Sequence, residues 1–503
     1  MLAKTLSYTL NGLNGVAVMV ETDVNNGLPA LDIVGLGDTA VKESKERVRS
    51  AIKNSGRKMP VQKITINLAP ADIKKEGTAY DLALAIGILK SSGQLLAETD
   101  GTVFLGELSL DGSLRRVNGV LPALISAMAD GYKKFIVPKD NAKEASFVDG
   151  VTVYAMDSLS DTIDLLCGLK EFEAVQKTDF VAGKTRNIYD SDLSLIKGQK
   201  VAKRALEVAV SGGHNLLFVG APGTGKTMLA KCIPTIMPDM TFEEALETTK
   251  IHSVAGALKN GDGIVYLRPF RSPHHTATTV SMTGGGAHLK PGEISLAHNG
   301  VLFLDEMPEY SRSTLEALRQ PLEDGIITIS RAAGTVTYPA NFILCGSMNP
   351  CPCGNYGSED KPCTCTPSQI ARYKAKISSP LLDRIDLQVQ VDGVKYSELC
   401  TEEKSETSEV VRARVNRTRK IQEDRFAEDN ILTNADMGEK QIKKYCRLSP
   451  ECESILKSAY ESLKLSPRAR SRIIKVARTI ADMELSEEIC PRHILEAVSY
   501  RLS

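Results

Sequence analysis

Gly220-Ala221-Pro222-Gly223-Thr224-Gly225-Lys226-Thr227 lies between two short runs of different character. Ahead of it, Leu216-Leu217-Phe218-Val219 is continuously apolar, which is the pattern of a strand buried on both faces. Behind it, Met228-Leu229-Ala230-Lys231 opens a helix. A glycine-rich turn between strand and helix aims backbone N–H groups at phosphate oxygens. Lys226 brings a point charge to the terminal phosphates, and Thr227 offers a hydroxyl to Mg²⁺. The eight residues are therefore expected to bind ATP and Mg²⁺.

A second strand signal comes about eighty residues later in Val301-Leu302-Phe303-Leu304-Asp305-Glu306. Two carboxylates emerge at the C-terminal end of an apolar strand, where open α/β sheets bind ligands. Asp305 is expected to hold Mg²⁺ through water, and Glu306 to orient and polarise the attacking water. The strand Phe342–Met348 leads to Asn349, whose amide can reach the γ-phosphate. Arg384, in Leu381-Leu382-Asp383-Arg384-Ile385-Asp386, is a candidate arginine finger. Arg468 is a candidate for touching phosphate from a helical region; a surface ion pair is the alternative for each arginine.

Working outward, residues 191 to about 395 alternate strands and helices like a doubly wound parallel sheet. Residues 1–168 read as a separate α/β unit, with a strand at Leu31–Val34, a helix capped by Asp38, and a buried helix from Tyr80 to Leu89. Residues 169–190 read as a polar linker. Residues 396–430 are charge-rich, and 396–503 as a whole reads as a small helical lid whose helix near 468–484 has one apolar face.

The 503 residues carry 62 Lys+Arg against 62 Asp+Glu, so nucleic-acid contact requires local patches rather than a global basic field. An insertion at 268–290 and a hairpin at Gly325–Tyr338 supply such patches. Arg268, Arg271, His274, His275 and Arg331 are the candidate DNA contacts, with the two histidines equally able to order the insertion by hydrogen bonding. No apolar stretch is long enough to span a bilayer, and a cytoplasmic location without a membrane partner is expected.

Four of the 11 cysteines fall in Cys351-Pro352-Cys353 and Cys363-Thr364-Cys365. In a reducing compartment this spacing favours a metal site in the loop 351–365, with structural Zn²⁺ first and an iron–sulfur cluster or unligated thiols as alternatives.

The motif order resembles AAA+ ATPases of the magnesium-chelatase-like branch. Arg268-Pro269-Phe270-Arg271-Ser272-Pro273-His274-His275-Thr276, Gly284-Gly285-Gly286, Pro291 through His298 and Asn349-Pro350-Cys351-Pro352-Cys353-Gly354 make it similar to the YifB/ComM family. That resemblance implies a hexameric ring of identical chains with ATP at subunit interfaces and Arg384 acting in trans. It also implies branch-migration helicase activity on branched or single-stranded DNA, alongside a recombinase, in homologous recombination and natural transformation. A magnesium-chelatase-like protein remodeller or a regulator of proteolysis is the alternative. Lys75 through Asp81, Gly106 through Leu121 and Ile136 through Lys139 resemble the Lon-protease domain, a ribosomal-S5-domain-2-like fold. Ala79 stands at its serine position and Leu121 at its lysine position, so no peptidase activity is expected from this dyad.

Overall fold

Alternate residues of the strands around the phosphate loop enter different hydrophobic clusters. Leu216, Phe218, Val301, Phe303, Cys345, Leu387 and Val389 share one core, while Leu217, Leu302, Leu304, Leu344 and Met348 share another. A strand buried on both faces reads as an unbroken apolar run, which is why these segments are legible as strands. The computed structural model describes residues 2–181, 189–258, 262–286, 289–331, 334–357, 361–393, 405–463 and 465–501.

The central sheet has five strands in the order Phe270–Arg271, Val301–Leu304, Ile343–Met348, Leu216–Val219 and Leu387–Gln390, and every neighbouring pair is parallel. Non-sequential neighbours in a parallel sheet require crossovers, and the helix Lys200–Gly212 and the C-terminal helices cover the first core. The hairpin Ile326–Arg331 with Gly334–Pro339 packs on the second core through Ile327, Ile329, Val336 and Tyr338.

The C-terminal region is helical, with helices Ser408–Arg425, Glu439–Tyr445, Pro450–Ser462, Pro467–Met483 and Pro491–Ser499. Val411, Val415, Ile473, Ala477, Ile480 and Ile494 enter the same cluster as the sheet, so this region is fused to the first core. Polar groups seal the joint. His214 meets Asp386 at 3.3 Å and Thr479 at 2.8 Å, and Arg472 donates to Asp386. The charge-rich stretch reads differently in three dimensions. Arg414 is paired with Glu207 and Glu406, and Arg419 donates to the Val210 carbonyl in the last turn of Lys200–Gly212, where a cation is favoured. Residues 396–404 of that stretch lie outside the described residues.

The N-terminal α/β unit holds a seven-stranded mixed sheet ordered Ala30–Val34, Lys63–Ala69, Asn14–Asn25, Leu2–Asn11, Thr102–Phe104, Lys134–Pro138 and Thr152–Met156. Its longest strands, Leu2–Asn11 and Asn14–Asn25, form an antiparallel hairpin. The Asp38 cap is present, its carboxylate accepting from the Val41 amide at 2.8 Å. The segment read as a linker is packed down: the Val175 amide donates to Val153, the Thr178 amide to Ser146, and Phe180 stacks on Tyr266. Its residues 182–188 lie outside the described residues. Among the described residues no helix is long and apolar enough to cross a membrane.

Candidate active site

The phosphate loop leaves the sheet at Val219 and turns into the helix Lys226–Lys231. Gly223 and Gly225 have φ of +82° and +88°, the left-handed region that admits glycine at little cost. Gly220 is held by contact instead: a Cβ there would lie 2.2 Å from the Val391 carbonyl oxygen. The Lys226 ammonium donates to the carbonyls of Gly220 and Ala221 at 2.7 and 2.8 Å and lies 3.5 Å from Asn349 Oδ1. Burial lowers its pKa, while Asp305 and Glu306 pull the other way. Nucleotide phosphates at the loop would favour the charged form in the same sense.

Thr227 donates to Asp305 at 3.0 Å, so the two expected Mg²⁺ partners are adjacent. Ser347 donates to the other oxygen of Asp305, and the Glu306 amide donates to Asp305 at 3.1 Å and to Ser347 at 3.2 Å. Glu306 itself has φ of +50°, a strained value for a non-glycine residue, held by those two bonds. Glu306 and Asn349 line one cleft of about 390 Å³ with Glu309, Arg372, Tyr373 and Lys376. Binding donors, a carboxylate pair and a polar cleft therefore converge at one end of a parallel sheet, an arrangement suited to phosphoryl transfer to water.

Arg384 is elsewhere. It precedes the strand Leu387–Gln390, and its carbonyl accepts from the side chain of Asn215, the residue before Leu216. In parallel strands that end is opposite the phosphate loop, across roughly 13 Å of a four-residue strand. The Arg384 side chain is only 5% exposed and donates to Glu323 and the Pro380 carbonyl. Arg468 is 65% exposed and approaches the same Glu323 at 3.8 Å. Arg468, expected to touch phosphate from a helical region, thus lies beside Arg384 at Glu323.

The five candidate DNA contacts divide. Arg268 has its donors engaged within the chain, giving bonds to Glu244 at 2.9 Å and to the carbonyls of Pro238 and Asn299 at 2.6 and 2.8 Å. Arg271 is likewise committed, in a two-pronged pair with Glu293 at 2.6 and 2.7 Å. His274 and Arg331 are exposed and His275 is half-buried. The His274 and His275 rings lie 4.1 Å apart, and His274 bonds the Thr276 hydroxyl at 2.9 Å.

Several residues that the structure brings to the site escape sequence reasoning. Ser347 lies within a strand that is legible, and a hydroxyl at the C-terminal end of a central strand is the signal. Gln199, with φ of +54°, donates to Asp392 at 2.6 Å and to Thr224 at 3.4 Å, tying the approach to Lys200–Gly212 to the loop. Arg372 and Tyr373 reach the cleft on the helix Pro367–Lys374, which a capping box at Thr366 and Gln369 starts just after Cys365, and Lys376 joins them just beyond its end. The four cysteines of the 351–365 loop gather so that all their sulfur atoms lie within 4.8 Å of one another, a set able to hold a metal ion; residues 358–360 lie outside the described residues.

Known proteins match this arrangement along nearly the whole chain. The family described as "Magnesium chelatase, subunit ChlI" matches residues 192–399. "Subunit ChlI of Mg-chelatase" matches 20–141, and "Magnesium chelatase, subunit ChlI C-terminal" matches 405–501. The protein YifB of Escherichia coli is 45% identical over 97% of this chain and 95% of its own length. Competence protein ComM of Haemophilus influenzae is 43% identical over 99% of this chain and 97% of its own. Lon protease 2 of Bacillus subtilis is 30% identical over 24% of this chain and 22% of its own. With matching families over both ends and the middle, and the phosphate loop and carboxylate pair assembled as that chemistry requires, the chain belongs to the YifB/ComM family of magnesium-chelatase-like AAA+ proteins, a family that implies an ATPase.

Proposed function

We propose that the chain is an ATP-hydrolysing DNA motor working as a homohexameric ring, with branch migration of DNA in recombination as its activity. The observation that carries the ring is the position of Arg384 at the sheet end opposite its own phosphate loop. A finger there serves catalysis only at a neighbouring copy's nucleotide, and head-to-tail contact repeated by rotation closes a ring. Arg468 shares Glu323 with Arg384 and would act in trans beside it. Lys226, Thr227 and Asp305 hold ATP and Mg²⁺ in this reading, Glu306 polarises water, and Asn349 senses the γ-phosphate.

DNA as the cargo is supported by the likeness to a competence protein and by the exposed Arg331 on its hairpin, with His274 and His275 on the insertion. The N-terminal unit is read as a Lon-like domain without its dyad, serving as a docking body. Ser253 of the helix Phe242–Ala255 accepts from the Gly119 amide at 3.0 Å and donates to Glu144, which joins that unit to the ATPase.

ATP turnover with and without a branched DNA junction, single-stranded DNA and an unfolded protein tests the cargo. Stimulation by DNA alone is expected. Stimulation by unfolded protein alone would transfer the motor to a remodelling or proteolysis-regulating role.

A further inference from the structure

We infer that Cys351, Cys353, Cys363 and Cys365 bind one Zn²⁺ in a tetrahedral thiolate site, and that this ion braces the phosphate loop and the γ-phosphate side of the cleft. Sulfur–sulfur distances are 3.3 Å for Cys351–Cys353, 3.7 Å for Cys351–Cys363 and 3.6 Å for Cys353–Cys363. A Zn–S bond of about 2.3 Å in a tetrahedron sets sulfurs about 3.8 Å apart. The observed separations lie near that edge and far outside a disulfide bond of about 2.0 Å. A sulfide-bridged iron cluster fits less well, since its thiolates bind different iron atoms and stand apart across it. Two sulfurs also accept backbone amides: Cys351 from Tyr356 at 3.3 Å and Cys363 from Cys365 at 3.4 Å. Such bonds orient and stabilise metal-bound thiolates.

The coupling is steric and covalent. Gly354, directly after the second cysteine, has φ of +81° and packs on Pro222 of the phosphate loop, where a Cβ would lie 2.6 Å from Pro222 Cδ. Cys351 is two residues after Asn349, which faces Lys226. Cys365 is two residues before the helix Pro367–Lys374, whose Arg372 and Tyr373 line the cleft with Glu306. One ion would thus fix three walls of the site: the loop through Pro222, the sensor through Asn349 and the far side through Arg372. The loop has little apolar material of its own, with Cys351 its buried anchor, so metal binding supplies the ordering free energy.

The full-length chain, purified without added metal, should contain one zinc per chain by mass spectrometry of the elements. Its cobalt-substituted form should show the intense thiolate-to-cobalt and visible bands of a tetrahedral four-sulfur site. Gly354→Ala should keep zinc yet bind a fluorescent ATP analogue about tenfold more weakly, because the loop must shift away from the added methyl. Cys363→Ser with Cys365→Ser should lose zinc and weaken that analogue at least as much. The brace presupposes the ATP site proposed above, whereas zinc content is read without nucleotide, so the two fail separately. Protein free of zinc, an iron–sulfide absorption spectrum, or wild-type analogue affinity in both variants would overturn the inference.

Discussion

Arg268 and Arg331 carry the same charge and belong to the same candidate DNA surface by sequence, yet their neighbours assign them opposite work. Arg268 spends its donors on Glu244 and on carbonyls of Pro238, Asp239 and Asn299. Arg331 ends the hairpin strand Ile326–Arg331 and is itself exposed. Arg268→Ala should lower stability by about 2–3 kcal/mol, the value of charged hydrogen bonds, and leave the DNA affinity of the folded protein unchanged. Arg331→Ala should leave stability alone and reduce the slope of log affinity against log salt by about 1, as loss of one phosphate contact does. Denaturant titration and DNA binding at several salt concentrations separate the two. The sequence could not divide them, because the partners Glu244 and Glu293 lie more than twenty residues from the arginines they neutralise.

At the scale of elements, the joint between the ATPase sheet and the C-terminal helices rests on Asp386. Burial alone would raise its pKa, but Arg472 and His214 outweigh burial and hold the carboxyl well below the ordinary range. A depressed folded pKa contributes stability above the unfolded value near 4, and that contribution is lost as pH falls toward the folded value. Asp386→Asn should therefore cost about 3–5 kcal/mol at neutral pH, as breaking a buried pair does. The gap between variant and parent should narrow in denaturant titrations as pH is lowered from 6 to 3. Elements whose apolar runs are buried on both faces were legible: the strands at Leu216–Val219, Val301–Leu304 and Ile343–Met348. The hairpin of Ile326–Arg331 and Gly334–Pro339 was legible too, with one face of each strand buried and the other exposed. The longest strand pair, Leu2–Asn11 with Asn14–Asn25, was not, since Thr5, Ser7, Thr9 and Thr22 occupy buried positions and break the apolar alternation. Thr5 is tolerated there because it donates to the Ala83 carbonyl at 3.0 Å. The segment 170–181 reads as linker for a related reason: its anchors are backbone hydrogen bonds, an ion pair of Lys177 with Asp149 and scattered contacts of Phe172, Val175 and Phe180, which leave no period.

For the whole molecule, equal numbers of basic and acidic residues confine any DNA affinity to a patch, so where that patch lies matters more than net charge. In the proposed ring, no single chain would hold a complete catalytic set. Lys226→Ala and Arg384→Ala should each abolish ATP turnover alone. Mixed in equal amounts, they should recover about a quarter of the active interfaces, because one chain supplies the loop and its neighbour the finger. No recovery on mixing would mean that Arg384 serves its own chain or none. The most direct measurement is ATP-dependent migration of a synthetic four-way DNA junction by the purified chain, with Glu306→Gln as control. The account predicts junction resolution that requires ATP and is lost in the variant, although the variant still binds ATP and DNA. An active ATPase that neither binds the junction nor moves it would contradict the DNA-motor reading.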